Sequence, residues 1–270
     1  VRILKWYQVP FMHVIKKILL CFSILISKGA FSCRCATATL IEKYQRSDFV
    51  ATIKILKHTK DENNANYCDI KFELVKLYKG ESTSNLKIEC TLNNSCSFIP
   101  PNNTTWLVFA PKNKNGILYF DYCSGNEQID RTFDLIKYPG LDVMHKKSIE
   151  VKFELLDFIK ENKITVENKF GLSVFDFKMD YNDLNGFNEE NRVSIYELHI
   201  NKDLSIRRIR ILKRFKNRVL SKKLTDSMRK NLKISLGKVD SIPEKTKLIV
   251  AYFHYLTNKE STNFVSMLDL

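Results

Sequence analysis

The chain has 270 residues, 44% of them hydrophobic, and carries 44 Lys and Arg against 30 Asp and Glu, a formal charge of +14. Its length excludes a mini-protein too small to bury a core and suits two domains. Its basic balance disfavours cationic surfaces as partners and favours anionic ones.

Residues 13–32, "HVIKKILLCFSILISKGAFS", start basic at Lys16 and Lys17, continue apolar from Ile18 to Ile26, and end on small residues at Ala30 and Ser32. The apolar run is too short to span a bilayer, so 1–32 is expected to be a cleaved signal peptide with an over-extended start, Met12 being the true first residue. An uncleaved signal anchor is the alternative, disfavoured because Lys28 closes the run. Cleavage leaves 238 residues beginning at Cys33, and loss of Arg2, Lys5, Lys16, Lys17 and Lys28 lowers the charge to +9. The expected location is therefore outside the cytoplasm: secreted, or in the periplasm or cell envelope. Lipid anchoring at Cys33 is less favoured, because "AFSC" lacks a leucine-like residue three before the cysteine.

Six cysteines follow the leader, Cys33, Cys35, Cys68, Cys90, Cys96 and Cys123, all in the first half. An even set confined to one segment of an exported chain predicts three disulfides and a boundary beyond Cys123, while spacing alone leaves the connectivity open. Export disfavours a zinc site of reduced thiolates, and a redox pair more usually has two residues between its cysteines.

The same half predicts strands. "DFVATIKILK" (48–57) places Val50, Ile53 and Ile55 in a β-rich run, and in "YCDIKFELVKLY" (67–78) Ile70, Phe72 and Leu74 alternate with charges. "KGESTSN" is a turn, "LKIECTL" (86–92) returns, and "TTWLVFAP" and "ILYFDYC" form a hairpin around "KNKNG". Such spacing predicts a closed or nearly closed antiparallel barrel. Beyond the connector "SGNEQIDRTFDLIKYPG", the segment "DVMHKKSIEVKFELLDFIKENK" predicts a helix with Ile149, Phe153, Leu156 and Ile159 on one face, ending near Lys163.

The mature start "CRC", "SDFVATIKI", "LVKLYKG", "NNSCSF", "TTWLVFAPK" and "YFDYCSG" occur in the order of the netrin-like module, and residues 33 to about 130 resemble that family. The family includes the tissue inhibitors of metalloproteinases and the C-terminal domains of netrins and complement proteins. The resemblance implies an OB-like five-stranded barrel with its N-terminal segment stapled on, Cys33 pairing with Cys96 and Cys35 with Cys123. Cys68 and Cys90 then remain, on strands flanking the "KGESTSN" turn where a cross-strand bridge is geometrically plausible. It further implies a metallopeptidase inhibitor in which the amino group of Cys33 would chelate the target's zinc. Arg34 would enter the protease pocket, where a long cation is disfavoured, so a general binding role comes first and inhibition second.

Residues 164–189 are expected to be a linker, and 190–270 a separate α+β domain. "VSIYELHI" (193–200) and "SIRRIRIL" (205–212) predict a hairpin through "NKDL", Leu220, Leu224, Met228 and Leu232 a helical stripe, and "KLIVAYFHYL" (247–256) a buried strand. This order over 190–256 resembles the C-terminal domain of TonB-type periplasmic proteins. Between Lys202 and Lys223 there are ten Lys or Arg residues and one acid, Asp203. Arg207, Arg208, Arg210, Lys213 and Arg214 are accordingly the candidate contacts to an anionic membrane or polysaccharide, with a solvated face as the plain alternative; nucleic acid is disfavoured by export and by the lack of stacking aromatics.

No enzyme constellation is legible: His58, His145, His199 and His254 fall in unrelated segments, and no cofactor motif is present. "YNDLNGFNEENR" (181–192) looks like a calcium loop, yet Tyr181 stands at the first ligand position and Arg192 at that of the bidentate acid, so no metal is expected. The sequence thus predicts a mixed fold, an OB-like antiparallel β-barrel with flanking helices over 33–163 plus a small α+β domain, acting as an exported, non-enzymatic protein- or surface-binding protein. An inhibitor and a structural envelope component are the alternatives.

Overall fold

A computed structural model describes residues 35–90, 97–176, 179–237, 239–256 and 262–269; the expected leader, Cys33, Arg34 and Cys96 lie outside them. The first element is a helix, α1 (Leu40–Arg46), which starts at a reciprocal cap. The Glu42 amide donates to Thr39 Oγ1 at 3.3 Å and the Thr39 amide to Glu42 Oε2 at 2.8 Å, satisfying donors that a helix start leaves unpaired.

Six strands form the first sheet: β1 (Phe49–Lys60), β2 (Tyr67–Lys79), β3 (Lys87–Glu89), β4 (Thr104–Ala110), β5 (Tyr119–Phe120) and β6 (Glu127–Gln128), in the order β5-β3-β2-β1-β4-β6. The sheet curls into a half-barrel around Phe49, Ala51, Ile53, Ile55, Ile70, Ile88, Trp106, Val108 and Phe120. Pairings are antiparallel except β3 with β5, which is parallel. The expected hairpin around "KNKNG" forms at its tip, where the Tyr119 amide donates to the Pro111 carbonyl at 3.1 Å, Lys112 bridges Leu118 and the Asn113 amide donates to the Ile117 carbonyl at 2.9 Å; beyond it β5 pairs beside β3. Asn113 Oδ1 accepts from the Asn115 and Ile117 amides and so holds the turn. In β2, Leu74 is exposed, so the expected inward alternation stops at Phe72. Gly80 ends that strand at φ +85°, and a Cβ there would lie 2.4 Å from the Asp48 carbonyl oxygen.

The long helix α2 (Leu141–Glu161) buries Ile149, Val151, Leu155, Leu156 and Ile159. Of the expected face, Phe153 is half-buried and stacks on Tyr78 with ring centroids 6.1 Å apart. More of the helix is covered than one stripe because it lies between two sheets. One apolar cluster joins Val50, Leu107 and Phe109 of the first sheet, α2, and Val193, Ile195, Ile249, Ala251 and Phe253 of the second.

The second sheet comprises β8 (Val193–Ile200), β9 (Ile206–Lys213), β11 (Thr246–Tyr255) and β12 (Phe264–Ser266), all antiparallel in the order β12-β11-β8-β9. Helix α3 (Arg218–Asn231), capped by Asn217, packs Leu220, Leu224 and Met228 against Tyr196, Leu198, Val250 and Tyr252. Residues 164–189, expected as a linker, contain β7 (Ser173–Phe175), which pairs with β10 (Lys233–Ser235), and a 3-10 turn at Tyr181–Leu184. They also bury Val166, Leu172, Met179 and Leu184. Among the described residues no helix is long and apolar enough to cross a membrane.

Candidate functional site

Alternation along β8 sends Tyr196, Leu198 and Ile200 toward α3 and Val193, Ile195, Glu197 and His199 to the opposite face. Helix α2 covers only the first part of that face. It stops at Glu161, the Ile164 amide closes on the Ile159 carbonyl at 2.9 Å, and Lys163 turns the chain away at φ 50°. Beyond that stop the sheet is open.

The register decides which side chains meet there. Glu197 lies opposite Arg210 on one side and Ile249 on the other, and His199 lies between Arg208 and Lys247. Residues directly opposite in an antiparallel ladder share a face, so Arg208, Arg210 and Lys247 stand on the face of Glu197, and Arg210 and Lys247 reach its carboxylate. Glu197 Oε1 is 2.8 Å from His199 Nε2, 3.5 Å from Lys247 Nζ and 3.7 Å from Arg210 Nη1. Its side chain is only 13% exposed, whereas those of Arg210 and Lys247 are more than half exposed, so the acid is a buried foot under cations that reach into water. Burial pushes the Glu197 carboxyl up, but the His199 hydrogen bond and the charges of Lys247, His199 and Arg210 together hold it below its ordinary value.

The open face borders a cleft of about 510 Å³ whose charged lining is Lys163, Lys169, Arg210, Lys245 and Lys247 against Glu167 and Glu197. Lys169 is paired with Glu167 at 3.0 Å near the rim, where both are exposed. Apolar floor is supplied by Leu212, Ile249 and Phe170. Cations over an apolar floor, with the central acid shielded below, can hold an anion and orient its uncharged part.

The five expected anion contacts separate. Arg208 and Arg210 stand on the open face, while Lys213, opposite Ile195, is taken up by α2 through an ion pair with Glu154 and a place 5.3 Å above the Phe158 ring. Arg207 sits at a bulge in the β8–β9 ladder, and Arg214 follows the strand, its carbonyl accepting from Asn191. Glu197, His199, Lys247, Lys245 and Lys163 were not singled out by spacing. Only the polar alternation Glu197, His199 within "VSIYELHI" signals that the strand has a second, wet face.

In the first half of the chain Cys35 is bonded to Cys123, with Cα atoms 5.2 Å apart, and Cys68 to Cys90, at 5.9 Å. The pairing implied for Cys33 with Cys96 falls outside the described residues. Two disulfides point to an oxidising compartment. No group of three or more His, Cys, Asp or Glu side chains suited to a metal ion occurs among the described residues. No known family model matches the chain, and no curated protein is detectably similar to it.

Proposed function

We propose that this is an exported, non-enzymatic binding protein that recognises an anionic partner, polysaccharide or acidic protein, through the open face of its second sheet. The observation that carries this reading is the grouping of Arg210 and Lys247 around the shielded Glu197 in a cation-rich cleft, with Arg208 on the same face opposite His199. An OB-like, netrin-like nature of the first half is supported by its strand order, because β4-β1-β2-β3-β5 with the Lys112↔Leu118 bridge comes round toward a five-stranded ring. Export is supported by the two disulfides. A kinship of the second half with TonB C-terminal domains is supported by its antiparallel sheet with α3 on one face.

Dextran sulfate is a suitable probe. The wild type binds it with a salt-dependent Kd, and Arg208→Gln/Arg210→Gln/Lys247→Gln raises that Kd at least about tenfold at low salt. An unchanged Kd overturns the cleft as the anion site.

A second reading is inhibition of a metallopeptidase through the amino group of Cys33. It is favoured by the Cys35–Cys123 bridge, which ties the segment directly after residue 34 to the chain just past β5. Inhibition in a fluorogenic peptide assay that disappears on acetylating an amino terminus at Cys33 supports this reading, and no inhibition by the unblocked chain rejects it.

A further inference from the structure

Between β6 and the first turns of α2 the chain exposes apolar side chains that nothing in the fold requires outside. Leu135 is 57% exposed, Ile136 97%, Tyr138 47%, Val143 49% and Met144 63%. Scattered exposed hydrophobics are ordinary, but five within ten residues form a patch.

The patch sits on a built turn. Asp134 Oδ1 accepts from the amides of Ile136 and Lys137 at 3.0 and 3.1 Å, and the Asp134 carbonyl accepts from Tyr138 at 2.8 Å. Behind it Phe133 meets the His145 ring edge-on at 5.4 Å, and His145 Nε2 is 2.8 Å from the Gln128 carbonyl, which ties the turn to β6. Leu135 and Ile136 are therefore presented at a fixed, convex tip.

Cations accompany the tip in the same segment. Arg131 lies 5.1 Å over the Phe133 ring and Lys137 Nζ lies 5.2 Å over the Tyr138 ring, with Lys146 and Lys147 exposed on α2. Among the described residues none of these four has an acidic partner within 4 Å. Of the nearby acids, Asp130 accepts from the Thr105 amide and Asp134 from its own turn, while Asp142 is exposed in the first turn of α2, leaving cations in excess. A convex aliphatic tip cannot fill itself against a flat protein surface, whereas a bilayer opens around it. An aromatic ring and long cations behind such a tip suit the headgroup layer, where the stems lie in apolar surroundings and the charges reach phosphate.

We propose that the segment 131–147 docks on an anionic phospholipid bilayer, with Leu135 and Ile136 entering the upper acyl region and Arg131, Lys137, Lys146 and Lys147 at the phosphates. No residue of the cleft takes part.

The test uses the full chain, disulfides intact, with vesicles of phosphatidylglycerol and phosphatidylcholine. In Ile136→Trp, the emission read against the wild type moves to the blue on vesicle binding and is quenched by lipids brominated in their acyl chains. Leu135→Ser/Ile136→Ser lowers the partition coefficient at least about tenfold, and both positions are exposed enough that the fold is undisturbed. Changing the four cations to Gln weakens binding and flattens its salt dependence. Emission of Ile136→Trp that does not move on vesicle-bound protein overturns the proposal. So does a blue shift that grows with protein concentration in the absence of lipid, which would assign the patch to a second copy.

Discussion

Glu197 is the residue on which the open face balances. Three groups converge on a side chain that is 13% exposed, and a carboxylate there is stabilised only because His199, Lys247 and Arg210 outweigh its desolvation. Removing its charge leaves the cations facing one another, so Glu197→Gln is expected to cost about 1–3 kcal/mol at pH 7. The folded-state pKa is depressed, so the carboxylate's contribution is full above its unfolded pKa of about 4.3 and is lost as pH falls through the folded value. Urea denaturation of wild type and variant should therefore differ at pH 7 and converge near about pH 3. A gap that persists at the lower pH would show that the carboxylate's charge is not its source. Little of this was legible beforehand. The basic run "RRIRILKR" is conspicuous in sequence, but which cations face the acid depends on two bulges in the β8–β9 ladder, and periodicity does not place bulges.

At the scale of elements, the strands with clean alternation or long apolar runs were readable, and most of the short ones were not. The hairpin of β8 and β9, the stripe of α3 and the strand β11 follow from patterns of period two and four. β6, β7, β10 and β12 have two or three residues each and offer no period to detect, while the equally short β3 and β5 fall within the expected segments "LKIECTL" and "ILYFDYC". Helix α1 is different, because "TLIE" carries its start signal in plain view as a capping box, seven residues being simply too few for an apolar stripe. Its buried face, Leu40, Ile41 and Tyr44, joins the cluster around α2, so the cap supports more than one turn of helix. Thr39→Ala is expected to destabilise the protein by about 1 kcal/mol, read as a lower urea midpoint at unchanged slope. Thr39→Ser should recover most of that loss.

For the whole molecule, α2 is the element shared by both sheets. A sequence that breaks into a cysteine-rich half and a cysteine-free half suggests two independent cores, and the apolar residues of α2 can be counted without knowing that both flanks are covered. Leu155 is fully buried in the joint cluster. Leu155→Ala is expected to cost about 2–5 kcal/mol and to lower the unfolding midpoint of both halves together, followed by hydrogen exchange in β1 and in β8. Exchange that rises in one sheet alone would separate the halves. The turn proposed to meet lipid precedes this helix, and the cleft proposed to take an anion opens where it ends. Twenty-one residues of helix measure about 30 Å, several times the roughly 8 Å over which salt lets surface charges act at physiological ionic strength. Neither end can sense the other's charge, so a partner at the cleft and a bilayer at the turn are held without competition. A stiff rod between two independent grips has the mechanics of a standoff, fixing the distance between a surface and whatever it carries.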